Sequence, residues 1–151
     1  MKGLTTKQLN YILSRGVTKQ YFKGTFASDQ DFENFKTPFC VVSNVQGHTK
    51  SGDHWVAFFV YKDVMYYFDT FGRPATNVAF PQVFGQFSKT RKCFYNPRIV
   101  QGLFSETCGV YCIFVLRQLS ENVSWRKILK SFSNIPSQND DVMRKYFRKN
   151  C

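Results

Sequence analysis

The sequence predicts a single α+β domain over residues 1–151. Helix-like patterns occupy both ends of the chain, and two β-rich runs lie in its middle. An apolar run, long enough for about three helical turns, follows Cys108. A length of 151 residues fits one domain, large enough to bury about 68–70% of the surface of its unfolded chain.

The composition indicates a globular protein. A hydrophobic fraction of 43% and an aromatic fraction of 18% predict a packed core rather than a disordered chain. No apolar run reaches the ~18 residues of a membrane span, and no secretory leader pattern opens the chain. The five cysteines show neither CxxC nor Cys/His zinc spacing, which argues against a disulfide framework and a metal site. We expect a soluble, non-secreted monomer with reduced thiols, in cytosol, nucleus or virion.

The first element is a short amphipathic helix over residues 5–13. Its apolar residues Leu9, Ile12 and Leu13 recur at helical spacing, and Gly16 ends it. A polar turn around Ser28-Asp29 follows. The next element is a mostly apolar strand over residues 39–45.

Two β-rich runs, residues 54–61 and 64–69, form the clearest predicted unit. Only Lys62-Asp63 separate them, so we expect an antiparallel hairpin with a two-residue turn. Beyond it we predict a helical segment over residues 81–87, a strand over 93–95 and a helix from 124 to about 132. Pro136-Ser137 is expected to break the chain before a last basic helix, from Asp140-Asp141 to near Lys149.

The hairpin register brings a histidine and a carboxylate together. When Tyr61 faces Val64, His54 lies opposite Phe71, and Asp69 is the diagonal neighbour of His54 on the same face. Diagonal neighbours are about 7–8 Å apart between backbones, within reach of long side chains. A slip of one residue would move the two side chains to opposite faces of the sheet.

Cys108 stands between a polar loop and the apolar run. Ser105 or Thr107 is expected to cap the helix that begins there, because a hydroxyl can accept a bond from a free backbone N–H. Cys108 then lies at the positive end of the helix dipole, a position that favours the nucleophilic thiolate. Gly109 lacks a Cβ, so a substrate or a neighbouring strand can approach closely.

A cysteine nucleophile needs a base and donors for an oxyanion. His54 is one of two histidines, Asp69 can orient it, and Gln101 lies seven residues before Cys108. Each also has an ordinary interpretation: an edge histidine, a turn former, a loop amide and a buried cysteine. Their joint order favours the catalytic interpretation. His48, in a polar loop, is assigned no role.

The order of these motifs resembles a known family. His54-Trp55 is followed by residues 67–72 (YFDTFG) and by residues 100–112 (VQGLFSETCGVYC). These blocks resemble the adenovirus-type maturation proteases, adenain, and more distantly the SUMO-specific Ulp1-like peptidases. The similarity to adenain extends through residues 21–26 and 135–137, and so covers nearly the whole chain.

This resemblance implies a papain-like/adenain-like cysteine protease fold, in which helices flank a mixed central sheet and the nucleophile begins a central helix. It makes His54 the base, Asp69 the orienting acid, Gln101 the oxyanion donor and Cys108 the nucleophile. Adenain usually carries Glu at the Asp69 position and Ulp1-like members carry Asp, so this position does not identify the branch. The implied substrates are viral capsid or core precursors, cut near Gly-containing motifs in the virion or in the host nucleus or cytoplasm.

The resemblance also implies DNA and a short activating viral peptide as cofactors. The net charge of +11 suits a polyanion partner. Cys93 lies near the position of the cysteine that links the peptide through a disulfide, although its spacing to Gln101 is shorter than the family pattern. A spare thiol and a solvated helix face remain alternatives. The cations considered for DNA are Arg126, Lys127, Lys130, Arg144, Lys145, Arg148 and Lys149.

Two other functions stay open. A Ulp1-like deSUMOylase or deubiquitinase-type isopeptidase would use the same four residues. A basic DNA-binding or virion-associated protein on an inert protease scaffold would bind DNA equally well without Cys108. The presence of all four catalytic residue types favours an enzyme.

Overall fold

A mixed five-stranded sheet forms the centre of the computed structural model, which describes residues 2–27, 35–45, 54–75 and 88–151. The strands lie side by side in sequence order. Strands β1 and β2 are parallel, β2–β3 and β3–β4 are antiparallel, and β4–β5 are parallel. Their bounds are Phe22–Ala27, Phe39–Val45, His54–Val60, Val64–Phe68 and Lys92–Tyr95.

The described residues form four α-helices, whose buried apolar side chains join one cluster with side chains of the sheet. Helix α1 is closed at its start by a capping box between Thr5 and Gln8. The helices are Thr6–Leu13 (α1), Cys108–Ser120 (α2), Trp125–Lys130 (α3) and Pro136–Asn150 (α4). With the sheet they confirm the predicted α+β class.

The two faces of the sheet carry separate apolar clusters, because side chains alternate along a strand. On β3, Trp55, Ala57 and Phe59 pack in the cluster that contains the helices. Val56 and Phe58 belong to the second cluster, on the opposite face. Ten of the 13 residues of α2 are buried, so the helix that starts at Cys108 is the central one.

The predicted hairpin register is confirmed. Ala57 pairs with Phe68 and Val60 with Met65. The turn is closed by the Tyr61 N–H, which donates to the carbonyl of Val64 at 2.7 Å. The register therefore points His54 and Asp69 to the same end of the sheet.

The start predicted for the last helix was wrong. Helix α4 begins at Pro136, where a break had been expected, and not at Asp140-Asp141. Proline is compatible with the first position of a helix, since the N–H that it lacks would have no partner there. The preceding helix α3 begins where the sequence predicts, after Ser124, whose side chain caps it, and it ends at Lys130 rather than near Phe132.

Three predictions fall outside the described residues: the turn around Ser28-Asp29, the loop with His48 and the helical segment over 81–87. Among the helices that are described, none has the length and apolar character needed to cross a bilayer.

Candidate active site

The His54 imidazole and the Asp69 carboxylate meet at the open end of the hairpin. His54 Nε2 lies 2.7 Å from Asp69 Oδ1. The His54 ring also stacks on the Phe71 ring, with centroids 4.8 Å apart and planes 25° apart. Because Asp69 and Phe71 hold the ring from two sides, the imidazole has a defined orientation.

The Cys108 thiol is the second partner of His54. The ring hydrogen-bonds to both Asp69 and Cys108. Since Nε2 bonds to Asp69, Nδ1 is the nitrogen that faces the thiol. Burial alone lowers the pKa of His54, but the hydrogen bonds to Asp69 and Cys108 and the charge of Asp69 outweigh burial and raise this pKa to about 9.

Asp69 is fully buried and accepts three hydrogen bonds through its carboxylate. Oδ1 accepts from the Phe71 N–H at 3.0 Å as well as from His54, and Oδ2 accepts from Arg73 Nε at 3.1 Å. Burial alone would raise the pKa of Asp69, but the His54 contact, the Phe71 N–H and the Arg73 charge together lower it. The carboxylate is thereby kept ionised next to the imidazole.

The backbone of Asp69 is held by Asn96, a buried residue that the sequence did not single out. The Asn96 side chain accepts from the Asp69 N–H at 3.0 Å and donates to the Asp69 carbonyl at 2.6 Å. This pair of bonds fixes the residue where β4 ends. The available sequence signal was a polar residue directly after a predicted strand.

Cys108 is the first residue of α2, as predicted, and the close packing of Gly109 holds it in place. A Cβ on Gly109 would lie 3.2 Å from Leu4 side-chain atoms and 3.3 Å from the Trp55 ring. The same two residues are joined by a bond from Trp55 Nε1 to the Leu4 carbonyl at 2.9 Å. Gly109 therefore allows the start of the helix to approach β3 and the N-terminal segment closely.

The predicted hydroxyl cap of this helix was wrong. Thr107 occupies the N-cap position, but its side chain makes no capping bond. Its hydroxyl donates instead to Asp140 Oδ1 at 3.0 Å, and Ser105 Oγ lies 2.5 Å from it. The Thr107 side chain is directed towards the buried Asp140 on α4 and makes no bond to the backbone N–H groups of α2.

Gln101 is buried and tied to the chain on two sides. Its Oε1 accepts from Thr70 Oγ1 at 2.5 Å, and its Nε2 donates to the Ser105 carbonyl at 2.7 Å. The Val100 N–H also donates to the Thr70 carbonyl at 2.9 Å. The segment around Gln101 is thus joined to the residue that follows Asp69. The amide group of Gln101 has a second hydrogen beyond the one that Ser105 uses.

Solved structures share this architecture. The chain has the fold of the ASFV pS273R protease. Two crystal structures of that protein, one with selenomethionine, each match with a TM-score of 0.60, at 19% and 22% identity. Both matches cover 92% of this chain and 64% and 65% of the respective ASFV chains. Neither a protein-family model nor a curated protein matches the sequence.

The match shows a shared fold and does not single out adenain. The structure has the predicted mixed sheet, and Cys108 begins its central helix. The chain spans about two thirds of the length of the ASFV protein.

The residues considered for cofactors lie away from this cluster in different settings. Cys93 is exposed on β5, and none of the five cysteines forms a disulfide. Arg126 and Lys130 line a groove of about 720 Å³ between α3 and the segment after β5. Arg144 is half-buried and bonds to Asp141 at 2.9 Å, whereas Lys127 and Lys145 are exposed.

Proposed function

We propose that this protein is a cysteine endopeptidase. The observation that carries the proposal is the position of His54, which bonds to a buried carboxylate through one nitrogen and faces the Cys108 thiol through the other. A thiol, an imidazole and an orienting acid are the three groups needed for nucleophilic attack on a peptide carbonyl. The shared fold of the ASFV protease supports the same conclusion.

In the proposed reaction the Cys108 sulfur, its proton taken by His54, attacks the carbonyl carbon of the peptide bond. The negative charge moves to the carbonyl oxygen, where the Cys108 N–H and the Gln101 amide are the proposed donors. The oxyanion collapses as the C–N bond breaks, and His54 gives its proton to the leaving amine. Water, deprotonated by His54, then hydrolyses the thioester and releases Cys108.

Polypeptides are the proposed substrates, specifically viral precursor proteins cut near Gly-containing motifs. The loop that precedes Cys108 presents two exposed apolar side chains, Leu103 at 74% and Phe104 at 100% exposure. The turn that carries them is closed by a bond from the Ser105 N–H to the Gly102 carbonyl at 3.1 Å. Apolar groups presented in this way suit contact with a polypeptide chain.

The test is labelling with a peptide electrophile that ends in glycine, followed by mass mapping. We expect selective modification of Cys108 that is lost in His54→Ala and kept in Cys93→Ser, whose thiol lies on β5. Equal, slow labelling of several cysteines, unaffected by His54→Ala, would refute the proposal. Faster reaction with a SUMO or ubiquitin electrophile than with the glycine peptide would favour the isopeptidase alternative.

DNA is the proposed polyanion cofactor, and a short peptide at Cys93 is the proposed second one. The net charge of +11 and the exposure of Lys127 and Lys130 support the first. The exposure of Cys93 on a strand at the sheet edge supports the second. Duplex DNA should accelerate Cys108 labelling, and Lys127→Glu with Lys130→Glu should reduce that effect. DNA binding with no change in labelling would favour the inert-scaffold alternative.

A further inference from the structure

A buried acid outside the proposed catalytic group connects both ends of the loop that precedes Cys108. Asp140, on α4, is 3% exposed. One oxygen accepts from Tyr111 Oη at 2.8 Å and from Thr107 Oγ1 at 3.0 Å. The other oxygen accepts from the Gly102 N–H at 3.0 Å. Asp140 thus joins the residue after Gln101 to the residue before Cys108.

The neighbouring residue Asn139 completes the arrangement. Its Nδ2 donates to the Val100 carbonyl at 3.1 Å, and that carbonyl also lies 3.0 Å from Tyr111 Oη, whose single O–H is shared with Asp140. The backbone is therefore held on both sides of Gln101, at Val100 by Asn139 and at Gly102 by Asp140. The start of α4 at Pro136 puts both side chains in the early turns of the helix, against this loop.

The presence of glycine at position 102 is explained by the contact with Asp140. A Cβ on Gly102 would lie 2.8 Å from Asp140 Oδ2, closer than real Cβ contacts. The backbone at this position needs no left-handed conformation, so the approach of the carboxylate is the reason for glycine here.

We propose that Asp140 is a positioning residue for the oxyanion site. By holding Gly102 and Thr107 at once, it sets the distance between the Gln101 amide and the Cys108 N–H. The inference rests on the proposed function. The role of Asp140 differs from that of Asp69, because Asp140 contacts Gly102 in the loop and Thr107 at the start of α2 rather than the imidazole.

The key variant is Asp140→Asn, which keeps the shape of the side chain. With its oxygen towards Thr107 and Tyr111, the amide sets its NH₂ group against the Gly102 N–H, donor against donor. In the flipped orientation a neutral amide oxygen replaces the carboxylate at Gly102, so the bond from Gly102 to the carboxylate is lost either way. Loss of a whole oxyanion donor costs about 10²–10³ in kcat, so misplacement of one should cost about tenfold with little change in KM. Asp141→Asn is the matched control, since Asp141 is 70% exposed and pairs only with Arg144 among the described residues.

Two reagents separate the oxyanion site from the nucleophile. Iodoacetamide alkylates sulfur with loss of iodide and forms no oxyanion, so Cys108 should react at the wild-type rate in Asp140→Asn. A peptide aldehyde ending in glycinal adds the sulfur to its carbonyl and places an oxygen in the oxyanion site. Its affinity should fall about tenfold in Asp140→Asn and stay unchanged in Asp141→Asn.

Gly102→Ala disturbs the same contact from the side of the loop. It should also lower kcat and the affinity for the aldehyde while leaving the alkylation rate unchanged, so it tests the proposal if a thermal melt shows that Asp140→Asn does not fold. Wild-type kcat and aldehyde affinity in a folded variant would overturn the proposal, as would a parallel loss of alkylation. A wild-type chain that shows neither selective alkylation nor aldehyde binding would instead overturn the proposed function.

Discussion

The rings of His54 and Phe71 stack across the hairpin, three residues beyond its last described pair, Ala57 and Phe68, with centroids 4.8 Å apart. The β3–β4 ladder is described only as far as Ala57 opposite Phe68. The stack shows that the same correspondence continues after β4 ends, into the turn that contains Asp69. The position of the imidazole is therefore set by local pairing, and this leads to the first prediction.

The pH dependence of cleavage should report the protonation of His54. The imidazole must carry a proton to protonate the leaving amine, and its pKa is about 9, so kcat/KM should fall as pH rises through about 9. Asp69→Asn removes the carboxylate charge, after which burial lowers the pKa, and the basic limb should move down by about one pH unit or more. An unmoved basic limb in Asp69→Asn would contradict the assignment. Cys108→Ala should abolish cleavage altogether.

The stability of the fold should also depend on the protonation of His54, and the direction of its pKa shift decides how stability changes with pH. The pKa of His54 rises from 6.5 to about 9 on folding, so its stabilising contribution is complete below pH 6.5 and is lost as pH rises towards 9. The difference in Tm between the wild type and His54→Ala should therefore shrink between these pH values. Thermal melts at pH 6 and at pH 9.5 test this. A difference that grows with pH would rule out the protonated imidazole in the folded state.

Asn96→Ala should destabilise the fold as well as the site. The change leaves the buried Asp69 N–H without its described partner, at a cost of about 1–3 kcal/mol, and it removes one of the two bonds to the Asp69 carbonyl, which still accepts from the Gly72 N–H at 2.8 Å. Urea unfolding measures the loss. Asn150→Ala removes an exposed amide from the end of α4 and should change the free energy of unfolding by less than about 0.5 kcal/mol. Equal effects of the two substitutions would disprove the role of Asn96.

Gly109→Ala should disturb the contact between α2 and the sheet. The added Cβ would lie 3.2–3.3 Å from Leu4 and Trp55, and overpacking of this kind costs about 1–3 kcal/mol. Gly3→Ala is the control, because its Cβ would meet its nearest neighbours at an ordinary 3.7 Å. Tm and the rate of Cys108 alkylation should both fall in Gly109→Ala only. A wild-type rate in that variant would show that the thiol tolerates a shift of the helix.

Local patterns in the sequence predicted the hairpin, its register and the helix that begins at Cys108, since each depends on neighbours along the chain. The long-range contacts escaped prediction. Asp140 and Asn96 act through backbone groups 27–38 residues away, and no spacing rule links a side chain to such a partner. The predicted start of α4 was wrong because Pro136 was interpreted only as a helix breaker.

The proposed catalytic residues are divided between two layers. His54 and Asp69 come from one hairpin, whose pairing keeps them together, while Cys108 comes from the helix that lies on it. A small sliding of α2 across the sheet would change the sulfur–nitrogen distance and leave the His54–Asp69 bond intact. The alkylation rate of Cys108 relative to that of the exposed Cys93 can therefore report the separation of the two layers, and on heating this ratio should decline before the sheet itself melts.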